Sequence, residues 1–180
     1  MSIKNFEFKA RVDEIDTLEK KLLTLGPQYI GQDHQKDTYF NVPFGRLKLR
    51  EGTIENCLIN YDREDKPGSK ESKVILYEHP RSENLKKILV RQLGVKVVVE
   101  KKRKIYFIGN VKFHFDVVAN LGTFIEVEAI DRSGEVSTDR LKIQCESYFD
   151  FFQLAPRQLI DKSYSDLILE QQNPKQGTHE

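Results

Sequence analysis

The sequence predicts an α+β fold in which an eight-stranded antiparallel sheet closes into a barrel and helices pack against its outside. Eight strand-like segments are joined mostly by short, hairpin-type connections. Amphipathic helical segments separate some of them, and several strands carry a charge at every second position. Because successive side chains of a strand point to opposite faces, such a strand has one charged and one apolar face. The charged faces converge only if they point into the barrel.

The chain begins with a predicted strand at residues 3–12, followed by a helix that Asp13 can cap and Gly26 ends. Apolar residues recur in this helix at helical spacing, at Ile15, Leu18, Leu22 and Leu25. The next predicted strands are 28–40, 46–51, 56–63 and 72–79. Pro43 and Gly45 mark the turn between the first two of these.

A second helix is predicted after Ser82, its N-cap, and ends at Gly94. Its apolar face consists of Leu85, Ile88, Leu89 and Leu93. Three strands follow in quick succession, at about 96–108, 111–118 and 123–130. Helices are then predicted over about 138–153 and 163–170, and the polar residues 171–180 are predicted to be a disordered tail. No linker divides the chain, so residues 1–170 are predicted to form one domain.

Composition narrows the range of functions. The chain has 180 residues and a formal net charge of only +1, so no global field attracts nucleic acid. No apolar run approaches the roughly 18 residues that span a bilayer, and the N-terminus lacks an apolar signal region. Cys57 and Cys145 stand far apart and are interpreted as buried thiols in a reducing compartment. These features predict a cytoplasmic protein that binds neither a membrane nor nucleic acid.

The alternating charges form two sets that suit a triphosphate and its metal ion. Arginine forks and lysine ammonium groups hold phosphate oxygens, whereas carboxylates hold Mg²⁺. The basic set comprises Lys9, Arg11, Arg46, Lys48, Arg50, Arg63, Lys101, Arg103 and Lys112. The acidic set comprises Glu7, Asp116, Glu126 and Glu128. On the competing interpretation the sheet is open, helices cover its apolar face, and these charges face solvent.

Other chemistries have little support in the sequence. There is no glycine-rich phosphate loop, no HExxH motif and no GxSxG nucleophile elbow. The four histidines are scattered, and His114 alone shares a strand face with a carboxylate. We interpret His114 as a structural or substrate-positioning residue rather than as a zinc ligand.

Several ordered motifs resemble those of one protein superfamily. The segments are Asn5-Phe6-Glu7-Phe8-Lys9, Gln35-Lys36-Asp37-Thr38-Tyr39-Phe40, Gly45-Arg46-Leu47-Lys48-Leu49-Arg50, Glu100-Lys101-Lys102-Arg103-Lys104-Ile105-Tyr106, His114-Phe115-Asp116, Leu121-Gly122-Thr123-Phe124-Ile125-Glu126-Val127-Glu128 and Ser163-Tyr164. Over residues 3–168 the chain resembles the CYTH, or triphosphate tunnel metalloenzyme, superfamily, and within it the class IV adenylyl cyclase branch. The resemblance implies an eight-stranded tunnel that binds a triphosphate with Mg²⁺ or Mn²⁺, the substrate being ATP, thiamine triphosphate or tripolyphosphate.

The alternation and the resemblance together assign candidate roles. Lys101 and Arg103 are the candidate catalytic residues. The candidate substrate-binding residues are Lys9, Arg11, Arg46, Lys48, Arg50, Arg63, Lys112 and His114. The candidate metal ligands are Glu7, Asp116, Glu126 and Glu128. The sequence leaves open whether the chain forms a homodimer.

The chain departs from the family's ExExK motif at its first position, where Asn5 replaces a glutamate. An asparagine carbonyl can bind a metal but carries no charge, so the number of metals stays open. Two hypotheses follow. The first is a metal-dependent adenylyl cyclase or triphosphatase, and the second is a non-catalytic module that binds nucleotides or polyphosphate.

Overall fold

The computed structural model describes residues 4–62 and 73–173. Its strands are β1 (Lys4–Arg11), β2 (Gln28–Phe40), β3 (Arg46–Glu51), β4 (Asn56–Asp62), β5 (Lys73–Glu78), β6 (Val95–Ile108), β7 (Val111–Val118) and β8 (Gly122–Asp131). Its helices are α1 (Ile15–Leu23), α2 (Glu83–Leu93), α3 (Thr138–Phe151) and α4 (Tyr164–Gln172), with a 3₁₀ turn at Pro156–Gln158. The predicted α+β class, with eight strands and four helices, is confirmed.

All eight strands form one antiparallel sheet in the order β1-β8-β7-β6-β2-β3-β4-β5. The long strands β2 and β6 pair along most of their length and join two four-stranded halves. The sheet curls strongly into a half-barrel. Within the described residues no ladder connects β5 to β1, so the prediction of a closed barrel is wrong in this respect.

The C-terminal segment contacts the free edge of β1. Ala10 forms an isolated bridge with Leu159, and the Ile160 amide donates to the Lys9 carbonyl at 2.8 Å. The chain then enters α4, which packs against β6. A C-terminal segment therefore covers the part of this edge at Lys9 and Ala10.

The larger core lies on the convex face, as the alternation predicted. Phe113, Ile125 and Val127 point outward from β7 and β8 and are fully buried. They pack with residues of α1 and α3, including Leu22 and Leu141. The helices thus bury the apolar side of the sheet and leave its charged side facing the concavity.

A smaller core fills one end of the concave face. The apolar side chain of Phe124 predicts an outward position with the other apolar residues, but its register places it on the same side as Glu126 and Glu128. Its ring lies 4.9 Å from that of Tyr164, the first residue of α4. The smaller core therefore anchors α4 beside the charged residues.

The helix ends follow the predicted signals at α2 but not at α1, which ends at Leu23 with Thr24 rather than Gly26 in the C-cap position. Ser82 accepts a hydrogen bond from the Leu85 amide and caps α2, as predicted. At α1, however, the helix starts at Ile15 with Glu14 in the cap position and no capping side chain, so Asp13 does not cap it. Helix α4 extends to Gln172, and residues 174–180 lie outside the described part of the chain. Among the described helices, none is both long and apolar enough to cross a bilayer.

The convex core should dominate stability. Phe113 is fully buried, with its ring 4.7 Å from that of Tyr148, so Phe113→Ala should lower the free energy of unfolding by about 3–5 kcal/mol. The matched control is Phe44→Ala, because Phe44 is 85% exposed and its removal should change stability by less than about 0.5 kcal/mol. Urea unfolding followed by circular dichroism measures both. Equal losses in the two variants would contradict this assignment of the core.

Candidate functional site

The concave face of the sheet encloses a cavity of about 710 Å³. Ten of the residues predicted to form a site line it. They are Glu7, Lys9, Lys48, Arg50, Lys101, Arg103, Lys112, His114, Glu126 and Glu128. The strand alternation thus brings residues from β1, β3, β6, β7 and β8 to one surface.

One part of this surface is organised around Asp37 on β2. The fully buried carboxylate accepts hydrogen bonds from Arg50 through two nitrogens at 2.8 Å, and from Lys48 and Lys101 at 3.0 Å each. Burial acts to raise the pKa of Asp37, but the charges of Arg50, Lys101 and Lys48 hold it well below its usual range. Asp37 is therefore a permanent anion shared by three cations.

A second carboxylate reaches the same region from the loop between β3 and β4. Glu55 accepts from Arg50 at 2.9 Å, from Lys112 at 2.6 Å and from Gln35 at 3.0 Å. Although burial acts to raise the pKa of Glu55, Lys112 and Arg50 lower it far below the usual value. Glu55 therefore links β3 to β7 across the concavity.

The loop that carries Glu55 is held by the buried Asp33. The Asp33 carboxylate accepts from the backbone amides of Thr53, Ile54 and Glu55 at 2.7–3.0 Å. A side chain at Gly52 would approach an Asp33 oxygen to 2.6 Å, so this position requires glycine. The loop is thus fixed against β2.

We call the region formed by Asp37, Glu55 and their cations the basic end of the cavity. Four cations face two carboxylates there, so the region carries excess positive charge. The cations are Lys48, Arg50, Lys101 and Lys112. An oligoanion would balance this excess.

The other part of the site, which we call the acidic end, contains Glu7, Asp116, Glu126 and Glu128 with the cations Lys9 and Arg103. Arg103 donates two hydrogen bonds to Asp116, at 2.7 and 2.6 Å, and the Tyr164 hydroxyl donates a third at 2.7 Å. Asp116 was predicted as a metal ligand, but it is fully buried beneath these three donors. It serves to fix Arg103 and Tyr164.

Glu126 lies where the cations and the carboxylates meet. Its oxygens lie 3.1 Å from Lys9 Nζ, 3.6 Å from Arg103 and 3.2 Å from His114 Nδ1. Burial opposes ionisation, but Lys9 and Arg103 hold the pKa of Glu126 well below its usual range. Burial, together with the charges of Arg103 and Lys112, lowers the pKa of His114 to about 4. At neutral pH, therefore, Glu126 is charged and His114 is neutral.

Glu128 is oriented by the residue that departs from the family motif. Asn5 Nδ2 donates to a Glu128 oxygen at 2.7 Å. Potential ligand atoms of His114, Glu126 and Glu128 lie within 4.8 Å of one another. Glu7 lines the cavity and is the cross-strand partner of Glu128. This set of carboxylate donors fits a divalent cation.

Two predicted substrate-binding residues, Arg11 and Arg46, do not line this cavity, and a third lies outside the described residues. Arg11 is exposed at the end of β1, donates to the Leu121 carbonyl and lies over the Phe124 ring. Arg46 contacts Ser163 at 2.7 Å and Asp166 at 3.0 Å, beside a separate small pocket. Arg63 lies outside the described residues.

Sequence reasoning assigned no role to Asp33, Asp37, Glu55 or Tyr164, although Asp37 and Tyr164 stand in segments that carry the family resemblance. On β2 the inward residues Asp33, Gln35 and Asp37 do alternate, but His34 and Lys36 between them are also polar. In this stretch β2 therefore lacks the apolar residues that alternate with charged residues in the other strands. Glu55 lies in a loop, where side-chain direction has no period, and no sequence signal identifies it.

The part of the cavity wall formed by β4 and β5 is different in character. The inward residues of β4 and β5 include Cys57, Ile59, Val74 and Leu76, all lining the cavity. One side of the cavity thus offers apolar contacts while the others carry charge.

Lys101 is buried among the other charged side chains of the cavity. Burial and the nearby charges of Arg50, Arg103 and Lys48 lower its pKa to about 7, although Asp37 acts in the opposite direction. Its charge is therefore sensitive to pH near neutrality and to the arrival of an anion.

Comparisons with known proteins match this architecture. The model of the CYTH domain family matches residues 4–144. No curated protein gives a significant sequence match. The PH1012 protein of Pyrococcus horikoshii OT3 is similar in structure, with 25% identity, a TM-score of 0.80 and coverage of 91% of this chain and 98% of that chain.

Two more distant structures share the fold. An adenylate cyclase candidate from Vibrio parahaemolyticus is 17% identical, with a TM-score of 0.77 over 94% of this chain and 99% of that chain. An adenylyl cyclase candidate from Hippeastrum, described as having a dominant triphosphatase activity, is 12% identical, with a TM-score of 0.60 and 96% coverage of both chains. At these identities the likeness shows the fold alone.

Anion binding should be coupled to protonation of Lys101. A bound tripolyphosphate raises the pKa of Lys101 by adding negative charge, so at about pH 8 binding should take up at most about one proton. Calorimetry in buffers of different ionisation enthalpy measures this uptake. Lys101→Met should remove the protein's contribution, whereas Lys102→Met, on the exposed outer face, should retain it. The same proton uptake in wild type and Lys101→Met would show that Lys101 does not titrate there.

Glu55 should compete with an added anion for Arg50 and Lys112. Glu55→Gln keeps the side-chain size and removes the charge, so it should tighten tripolyphosphate binding by about tenfold or more. The control is Glu78→Gln, which also removes a cavity carboxylate but lies on β5. Isothermal titration calorimetry compares the two, and weaker binding by Glu55→Gln would contradict the competition.

Proposed function

This chain belongs to the CYTH domain family, whose members are adenylyl cyclases or triphosphatases, and we propose that it is a metal-dependent enzyme acting on a triphosphate in the cavity. The observation that carries the proposal is the separation of charge within one concave surface. A basic end with excess cations adjoins an acidic end with excess carboxylates. This arrangement is complementary to a polyphosphate that carries a divalent cation.

The basic end would hold the phosphate oxygens. Lys48, Arg50, Lys101 and Lys112 come from three strands and point to one region. Their pairing with Asp37 and Glu55 places them before a substrate arrives, so little rearrangement is needed to bind one. A substrate must compete with these carboxylates, which favours ligands of high negative charge.

Arg103 would stabilise charge on the reacting phosphate. Burial opposes its ionisation, but Asp116 and Glu126 raise its pKa well above the usual value, so it is always charged. Asp116 fixes its guanidinium group through two hydrogen bonds. Lys9, 3.1 Å from Glu126, would contribute a second cation at the same junction.

Glu126 and Glu128, with Glu7, would hold the divalent ion. Such an ion neutralises phosphate oxygens and helps to align the nucleophile and leaving group. Water as the nucleophile gives hydrolysis, whereas a ribose 3′-hydroxyl gives cyclisation with release of pyrophosphate. Both reactions depend mainly on positioning and charge stabilisation by the residues above.

The apolar wall favours a substrate with an organic group. Ile59, Val74 and Leu76 line the cavity on the strands next to the basic end. A nucleoside or thiamine moiety can bury apolar surface against these side chains, whereas inorganic tripolyphosphate has none to bury. We therefore expect ATP or thiamine triphosphate to be preferred over tripolyphosphate.

A substrate panel tests the proposal. The full chain is incubated with ATP, thiamine triphosphate or tripolyphosphate and Mg²⁺ or Mn²⁺, and phosphate, pyrophosphate and cyclic AMP are measured. Glu126→Gln should reduce turnover by about 100-fold or more while tripolyphosphate binding in EDTA persists. Glu100→Gln, an exposed carboxylate on β6, is the matched control and should retain turnover.

The alternative function, a binding module without turnover, has one specific observation in its favour. Asn5 replaces a charged ligand of the family motif and thereby lowers the negative charge of the acidic end. Anion binding without turnover of any substrate, together with a gain of activity in Asn5→Glu, would support that alternative and overturn the enzymatic proposal.

A further inference from the structure

Two buried polar atoms at the acidic end have no hydrogen-bond partner among the residues that the structure describes. They are His114 Nε2 and Asn5 Oδ1. Their residues are only 2% and 7% exposed, so bulk water does not compensate for the missing partners. Buried nitrogens and oxygens are normally paired in folded proteins, and an exception indicates a missing ligand, ion or water.

The contacts of His114 place one ring nitrogen beside the carboxylates. Its Nδ1 lies 3.2 Å from a Glu126 oxygen, a separation that two neighbouring ligand atoms of one ion also have. When the neutral ring carries its proton on Nε2, Nδ1 keeps its lone pair and faces this carboxylate. In metal-binding histidines one ring nitrogen commonly binds the ion while the other donates to a carboxylate, a carbonyl or water. In this tautomer Nδ1 is the candidate ligand atom, and Nε2 is the nitrogen that would donate.

Asn5 orients Glu128 in the same cluster. Its amide nitrogen donates to Glu128 at 2.7 Å, which directs Oδ1 away from that carboxylate. A glutamate at this position could not donate such a bond and would repel Glu128. The departure from the family motif thus replaces a charge with a group that orients Glu128 and offers a neutral oxygen.

We propose that His114 is a nitrogen ligand of the metal site formed with Glu126 and Glu128, and that this site prefers a divalent transition metal such as Mn²⁺ or Co²⁺ to Mg²⁺. Potential ligand atoms of the three residues lie within 4.8 Å of one another. Mg²⁺ favours oxygen ligands in near-ideal octahedral geometry, whereas imidazole favours transition metals. The neutral donors His114 and Asn5 also reduce the electrostatic attraction on which Mg²⁺ depends.

The inference deepens the proposed function, since it concerns the metal of the same site, but it is measured without substrate. The full chain is loaded with Mn²⁺ and examined by pulsed electron paramagnetic resonance for coupling to ¹⁴N. Wild type should show the coupling and His114→Gln should lose it. His79→Gln, which removes another cavity histidine, should keep it.

Competition between Mn²⁺ and Mg²⁺ gives a second measurement. The preference of the wild type for Mn²⁺ should fall by about 10-fold to 100-fold in His114→Gln and stay unchanged in His79→Gln. Thermal unfolding by circular dichroism checks that each variant is folded. If His114→Gln does not fold, the nitrogen coupling in wild type and His79→Gln still decides the question.

Bound Mn²⁺ without nitrogen coupling in the wild type, coupling that survives in His114→Gln, or no Mn²⁺ binding at all would overturn the inference. Nitrogen coupling without turnover of any triphosphate would leave it intact and count against the proposed enzyme. Turnover without nitrogen coupling would overturn the inference and leave the proposed enzyme intact.

Discussion

The buried carboxylate of Asp37 holds three cationic side chains, from β3 and β6, against the concave face of the sheet. Without it, Lys48, Arg50 and Lys101 would repel one another in a poorly hydrated space. Removing one member of a buried ion pair commonly costs about 3–5 kcal/mol, because the remaining charge is left uncompensated. The low pKa of Asp37 keeps this anion charged across the physiological range. The concave face therefore depends on a residue that need not touch a substrate.

Asp116 plays the corresponding role at the acidic end, and it also connects the site to the C-terminal helix. It fixes Arg103 with two hydrogen bonds and receives a third from Tyr164 at the start of α4. The segment before α4 occupies part of the free edge of β1, and Phe124 packs against Tyr164. The packing of the C-terminal segment and Tyr164 therefore both covers part of the free edge of β1 and helps to place Arg103.

The six cations named above for the basic and acidic ends each already contact a carboxylate before an anion binds. Arg50 and Lys112 share Glu55, and Lys9 contacts Glu126. Such internal pairing reduces affinity for weak anions, since a ligand must displace or outweigh a carboxylate. It also preorganises the cations, so a ligand with several charges gains more from the site than one with a single charge. The proposed selectivity for polyanions rests on the same contacts that keep the fold intact.

The sequence by itself determined which side chains share a face. Glu7, Lys9, Arg103, Glu126 and Glu128 were all assigned to the concavity from strand alternation, and they do line it. This succeeded because the period of two is a local property of each strand, and the stretches that carry these residues keep it; the register shifts between β2 and β6 lie elsewhere, at Tyr29/Gly31 and Tyr39/Phe40.

Only the tertiary structure decided which of those side chains meet, and whether the barrel closes. The sequence could not show that Asp37 gathers three cations, that Glu55 spans the concavity from a loop, or that Asp116 is enclosed by Arg103 and Tyr164. Nor could it show that Arg11 and Arg46 lie outside the cavity, or that the segment at Leu159 covers part of the edge of β1. These features depend on strand order, ladder length and the path of the C-terminal chain. Those are set by contacts between residues distant in sequence, and local periodicity carries no information about them.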